Sequence, residues 1–169
     1  MVSSAHAISN GLAADGGLFV PKEFPPISLA EIDAMREAPY SDRALTVLAR
    51  FLTDYSEDEL RNCVETAYSK DRFGDFPAPL HLLKDNLDVL ELWHGPTCAF
   101  KDMALQILPL FLTKAVQKTG EQKKLVILVA TSGDTGKAAM AGFADVPETE
   151  VIVFYPQEGV SDIQKLQMV

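Results

Sequence analysis

Two short stretches of the chain carry residue types that could do chemistry. In Trp93-His94-Gly95-Pro96-Thr97-Cys98-Ala99-Phe100-Lys101-Asp102 the unusual residue is Lys101, at the expected start of a helix. A lysine in the first helical turn opposes the macrodipole, which disfavours the ammonium there, and Phe100 shields one side. Both effects favour the free amine, the form a Schiff-base lysine needs as a nucleophile near neutral pH. Asp102 beside it can instead hold an ordinary surface ion pair, and the residue types alone favour that simpler reading. The second stretch is Thr131-Ser132-Gly133-Asp134-Thr135-Gly136. Its small residues let backbone amides approach an anion, and Ser132 and Thr135 add hydroxyl donors near a positive helix end. A phosphate or carboxylate is the natural guest. The competing reading is a tight turn with Asp134 or Thr135 as N-cap, and spacing alone weighs the two about equally. It is not a Walker loop, because only two residues separate the glycines and Ala138 follows Lys137 where Ser or Thr is required.

Other residues rank lower. His94 reads as a structural hydrogen-bonding histidine and Cys98 as a small packed thiol without an assigned base. Glu57-Asp58-Glu59 reads as a solvated first turn.

The elements that must hold these stretches are legible in the pattern. Asp15-Gly16-Gly17 marks a tight turn before Leu18-Phe19-Val20, read as a hairpin edge or docking strand. Ser28 with Glu31 and Ser56 with Glu59 have capping-box spacing, and Ser41 is a candidate N-cap between them, so three helical segments follow. Gly74, Pro77 and Pro79 then break the periodicity, which divides the chain into 1–76 and 77–169. Beyond the break the pattern predicts strand, helix, strand, helix, strand over 87–93, 101–118, 125–130, 135–144 and 151–155. Leu125 to Ala130 is an unbroken apolar run, as expected of a parallel strand covered on both faces. The fold class is therefore α/β: a small helical N-terminal domain, then a layered, mainly parallel sheet. Ligands of such sheets bind beyond the carboxyl ends of the strands, where both stretches fall.

Composition excludes several function classes. The 169 residues are 47% hydrophobic and 23% charged, which is globular and able to bury a core. A net charge of -9 without a basic stripe argues against nucleic acid as a partner. The two cysteines, Cys63 and Cys98, form no C-x-x-C pair, which argues against a zinc site or a disulfide framework. No export signal and no membrane-spanning run is visible, so the expected location is the cytoplasm.

A resemblance narrows the reading. Leu92 to Gln106, with Glu91 upstream, closely resembles the pyridoxal-phosphate attachment segment of the threonine synthase family. Val129 to Gly136 resembles that family's substrate loop, Asp15 to Pro21 its N-terminal signature, and Gly159 to Val169 the segment after its next strand. The resemblance implies a fold-type II pyridoxal-phosphate enzyme converting O-phospho-L-homoserine and water to L-threonine and phosphate. It implies that Lys101 holds pyridoxal 5'-phosphate as an aldimine and shuttles protons, with Phe100 and Asp134 bordering the cofactor. Ser132, Gly133, Asp134 and Thr135 then grip the carboxylate of the substrate. Asp at 134, where many relatives in the broader fold carry Asn, favours threonine synthase over cysteine synthase or threonine dehydratase.

The family's later phosphate-cradling loop has no counterpart here. The expectation is therefore an incomplete cofactor domain, an N-terminal fragment that binds pyridoxal phosphate poorly and turns over nothing alone. The alternatives are a threonine synthase-like phospholyase releasing 2-oxobutyrate and a short non-catalytic relative acting as an interaction protein.

Overall fold

The computed structural model describes residues 1–121, 124–131 and 133–168. The chain divides into two compact units, Met1–Ala67 with Leu110–Glu121, and Tyr68–Pro109 with Gln122–Val169.

The first unit is helical. Helix α1 (Ser4–Asn10) is capped by Ser3 and held by Asp54, whose carboxylate accepts from the amides of Ser4 (3.2 Å) and Ala5 (2.9 Å). The turn predicted at Asp15-Gly16-Gly17 forms. The Asp15 carboxylate accepts from the Gly17 amide at 2.9 Å, Gly16 adopts φ +84°, and an isolated bridge joins Leu12 to Leu18. Helix α2 (Leu29–Ala34) begins with the expected capping box of Ser28 and Glu31. Ser56 and Glu59 make the same reciprocal pair before α4 (Glu57–Ala67). Helix α3 (Tyr40–Phe51) differs from expectation, because Pro39 is its N-cap and Ser41 lies inside its first turn. Proline needs no amide partner at that boundary, so the helix starts one residue before a side-chain cap could act. Leu45, Tyr55, Leu60, Cys63 and Val64 form the core with Phe111, Leu112 and Ala115 of α7 (Leu108–Thr119). The Tyr55 hydroxyl donates to the Phe111 carbonyl at 3.0 Å.

The second unit opens with a short helix α5 (Lys70–Phe73) and an antiparallel hairpin of β1 (Leu80–Lys84) and β2 (Leu87–Leu90). Asn86 turns the hairpin at φ +59°, a conformation its short amide tolerates. The strand expected over 87–93 therefore ends early and pairs locally, outside the parallel sheet. That sheet consists of β3 (Leu125–Ala130) and β4 (Thr149–Phe154), paired in parallel from Leu125↔Thr149 to Ala130↔Phe154. Helix α8 (Asp134–Phe143) crosses between them and packs on both strands. An added Cβ at Gly136 would lie 2.7 Å from Thr131 Cγ2 and 2.9 Å from Val153 Cγ1, so only glycine permits that approach. Only one face of the pair is covered. Leu128 is 67% and Phe154 58% exposed on the other.

The single helix expected over 101–118 is two: α6 (Asp102–Leu105) and α7. Pro109 causes the break. It has no N–H to give the Leu105 carbonyl, and its ring would clash with that group in a continuous helix. The freed carbonyl instead packs against Gly142 of α8, where any Cβ would overlap it. The last helix, α9 (Asp162–Leu166), starts from a capping box of Ser161 and Gln164.

Candidate active site

The segment from Thr97 to Lys101 is a tight turn preset by its own side chains. The Cys98 amide donates to the Gly95 carbonyl at 3.1 Å, and Cys98 adopts φ +56°. Asp102 is fully buried, its carboxylate accepting from the Thr97 amide and from the Thr97 hydroxyl, each at 2.8 Å. Gly95 lies directly beneath, and an added Cβ would fall 2.6 Å from Asp102 Oδ2. Asp102 is thus no surface ion-pair partner of Lys101. It turns inward because two strong donors from Thr97 replace its hydration, as a buried carboxylate requires.

Lys101 is the N-cap of α6, in helical conformation, and half-buried. Its ammonium lies 4.2 Å from the centre of the Phe100 ring. The helix behind it is four residues long, so the macrodipole acting on Lys101 is much smaller than that of the expected long helix. The amides of Ala104 (3.1 Å) and Leu105 (2.8 Å) both donate to the Lys101 carbonyl and fix its backbone.

The second stretch is ordered by Thr131. Its hydroxyl oxygen accepts from the amides of Gly133 (3.0 Å) and Gly136 (3.3 Å). Gly133, at φ +146°, is the N-cap of α8, which displaces the expected Asp134 or Thr135 cap. Among the described residues, the amides of Asp134 and Thr135 take no partner, leaving two donors at a helix start. The Asp134 carboxylate accepts from Gln164 Nε2 and from Lys137 Nζ, each at 3.2 Å. Gln164 foremost, then Lys137 and Lys101, hold it below the usual carboxylate range. Ser132 lies outside the described residues. Two grooves of the first unit, one of about 670 Å³ beside Leu45 and Arg50 and one beside Leu29 and Val47, contain none of the predicted site residues.

His94 bonds Glu91 at 2.7 Å and stacks on Trp93, in keeping with a structural role. Cys98 is exposed, contrary to the packed thiol expected, because its left-handed backbone turns the side chain out of the clamp. Sequence reasoning missed Thr131, Lys137 and Gln164 as partners of the loop. Only Gln164 had a local signal, the Ser-x-x-Gln spacing from Ser161.

The donor set fits pyridoxal phosphate at its aldehyde end. The same unit holds a half-buried primary amine beside an aromatic ring and a loop with amide donors for an anionic ligand.

The fold defines a class: a mixed helix-and-sheet chain with a helical unit and a parallel strand pair crossed by α8, consistent with part of a pyridoxal-phosphate fold-type II domain. Residues 1–68 match a family described as "Threonine synthase N terminus". The chain is 40% identical to threonine synthase of Schizosaccharomyces pombe over 98% of its length, covering 34% of that protein. It is equally similar to human threonine synthase-like 1, covering 23% of it. A pyridoxal-phosphate-bound threonine synthase from Brucella melitensis superposes with a TM-score of 0.90 at 36% identity, over 99% of this chain and 36% of that one. Residues 1–68 thus match the threonine synthase N-terminal family, and almost the whole chain is similar to threonine synthases and threonine synthase-like 1 while spanning only about a quarter to a third of the length of these relatives.

Proposed function

We propose that this chain supplies the lysine-bearing part of a cytoplasmic, pyridoxal-phosphate-dependent threonine synthase acting on O-phospho-L-homoserine. Residues 1–76 form its N-terminal domain and 77–169 the start of its cofactor domain. The observation that carries this reading is Lys101 at the end of the turn fixed by Thr97 and Asp102, inside a chain that aligns with threonine synthases almost throughout.

Bound pyridoxal phosphate supplies an electron sink that makes protons at Cα and Cβ of an amino acid removable. Lys101 would hold the cofactor, and its amine would take up and return protons at Cα and Cβ of the substrate. Phe100 flanks the amine and excludes water from that side. The amides of Asp134 and Thr135, with the hydroxyls of Ser132 and Thr135, bind the substrate carboxylate at the positive end of α8. Gly133 would let the backbone come close, and Asp134, its carboxylate fixed by Lys137 and Gln164, would border the cofactor.

The test uses the whole protein that contains this chain. With O-phosphohomoserine it is expected to release threonine and phosphate in equal amounts, and Lys101→Ala is expected to abolish both. Identity to threonine synthase-like 1 equals that to the yeast enzyme, so a phospholyase outcome is the second reading. Release of 2-oxobutyrate in place of threonine would select it.

A further inference from the structure

The geometry points to Asp102 as a positioning residue that sets Lys101 by clamping Thr97, with Gly95 providing the room. This rests on reading Lys101 as the lysine that holds the cofactor. Asp102 is wholly buried and Thr97 is 9% exposed, yet neither touches a cation in the described structure. A carboxyl group in such surroundings is retained only where hydrogen-bond donors compensate it, and here both donors come from the residue four positions before Lys101.

The clamp closes a ring. Thr97 is tied to Asp102 by two bonds, the Asp102 amide donates to the Ala99 carbonyl at 2.9 Å, and the Cys98 amide donates back to Gly95 at 3.1 Å. Lys101 lies inside this ring, between its two fixed ends. With four residues of helix behind it, α6 alone is too short to fix its direction. The clamp therefore does what a longer helix would otherwise do: it limits the backbone at Lys101 to one orientation and keeps the amine against the Phe100 ring. A carboxylate also has no donor of its own, so it cannot rotate into an alternative pairing as an amide could.

The experiment compares the chain with Thr97→Val, Thr97→Ser and Asp102→Asn. Amines are trace-labelled with acetic anhydride below the unfolding transition of every variant, and modification of Lys101 is measured against exposed Lys22 in the same sample. In the unmodified chain the half-buried Lys101 is expected to react several-fold more slowly than Lys22. Thr97→Val, which keeps the shape and removes one donor, is expected to bring the two rates to within about twofold. Thr97→Ser is expected to restore the original ratio. Asp102→Asn, whose carbonyl can take the Thr97 amide while its NH2 turns to the hydroxyl oxygen, is expected to fall between.

A role confined to stability would lower the melting temperature of Thr97→Val and leave the ratio unchanged, and that result overturns the proposal. A valine variant and a serine variant with the same altered ratio would overturn it too. The reagent carries no cofactor chemistry. Failure of Lys101 to capture pyridoxal phosphate in the whole protein would therefore sink the functional reading while the labelling ratio still decides the clamp.

Discussion

Asp102 shows how far residue type can mislead. An aspartate next to a lysine reads as solvated, since acidic side chains are almost never fully buried unless paired. Here the pairing is with Thr97, and nothing in composition marks the one threonine that will provide both an amide and a hydroxyl. Gly95 makes this testable without touching the charge. A Cβ there would fall 2.4 Å from Asp102 Cβ and 2.6 Å from its Oδ2, so one of the two groups must shift. Gly95→Ala is expected to cost about 2 kcal/mol of stability, measured by urea unfolding. Asp54 gives a pH-dependent counterpart. Burial alone would push its carboxyl up, but hydrogen bonds from Ala5 and Ser4 outweigh this and hold it below its ordinary value of 3.8. A lowered folded value means the stabilisation is complete above 3.8 and is lost as pH falls through the folded value. Asp54→Ala is therefore expected to be less stable than the unmodified chain by about 1 kcal/mol at pH 7, with the difference shrinking as pH falls below 3.8.

At the scale of elements, the sequence was most readable where one local rule acted alone. The capping boxes at Ser28 and Ser56 formed because both partners lie within one turn. Strands β3 and β4 lie where the β-branched runs put them. It was least readable where two rules competed. Residues 101–118 carry helical periodicity throughout, and Pro109 overrides it by depriving the Leu105 carbonyl of a partner. The strand at 87 was expected in the parallel sheet because β1, with three leucines among five exposed residues, has no clear alternation to announce a hairpin. The contacts that order the candidate site, Thr131 to Gly136 and Gln164 to Asp134, depend on packing that no local window contains. The Pro109 break also explains Gly142. The displaced carbonyl of Leu105 occupies the volume a side chain would need, and a backbone group cannot swing away. Gly142→Ala is expected to separate α8 from α6 and destabilise by about 3 kcal/mol, and Pro109→Ala in the same chain is expected to recover part of this by letting Leu105 bond within a longer helix. Thermal melts of the single and double variants measure the coupling.

At the scale of the whole molecule, the uncovered face of the parallel pair sets how the chain behaves in solution. The run Leu125 to Ala130 has the composition of a strand buried on both sides, yet α8 covers one side and the burial alternates residue by residue. On the open side Val126 and Leu128 of β3 line up with Ile152 and Phe154 of β4, in the register Leu128↔Ile152 and Ala130↔Phe154. Parallel sheets are found with both faces covered because neither face is patterned for water, and two strands also leave two edges with unpaired amides and carbonyls. A contiguous apolar row of this kind attracts apolar dyes and other copies of the chain. The 169-residue chain is therefore expected to bind 8-anilinonaphthalene-1-sulfonate in its native state and to self-associate as concentration rises. Leu128→Lys with Ile152→Thr removes the centre of the row while leaving the α8 side untouched. This pair is expected to cut dye fluorescence by about half and suppress association, without lowering the melting temperature, because the replaced side chains bury little in the folded chain. Unchanged fluorescence in the double variant would mean that the dye finds its apolar surface elsewhere, with the exposed hairpin leucines Leu80 and Leu82 the next surface to alter.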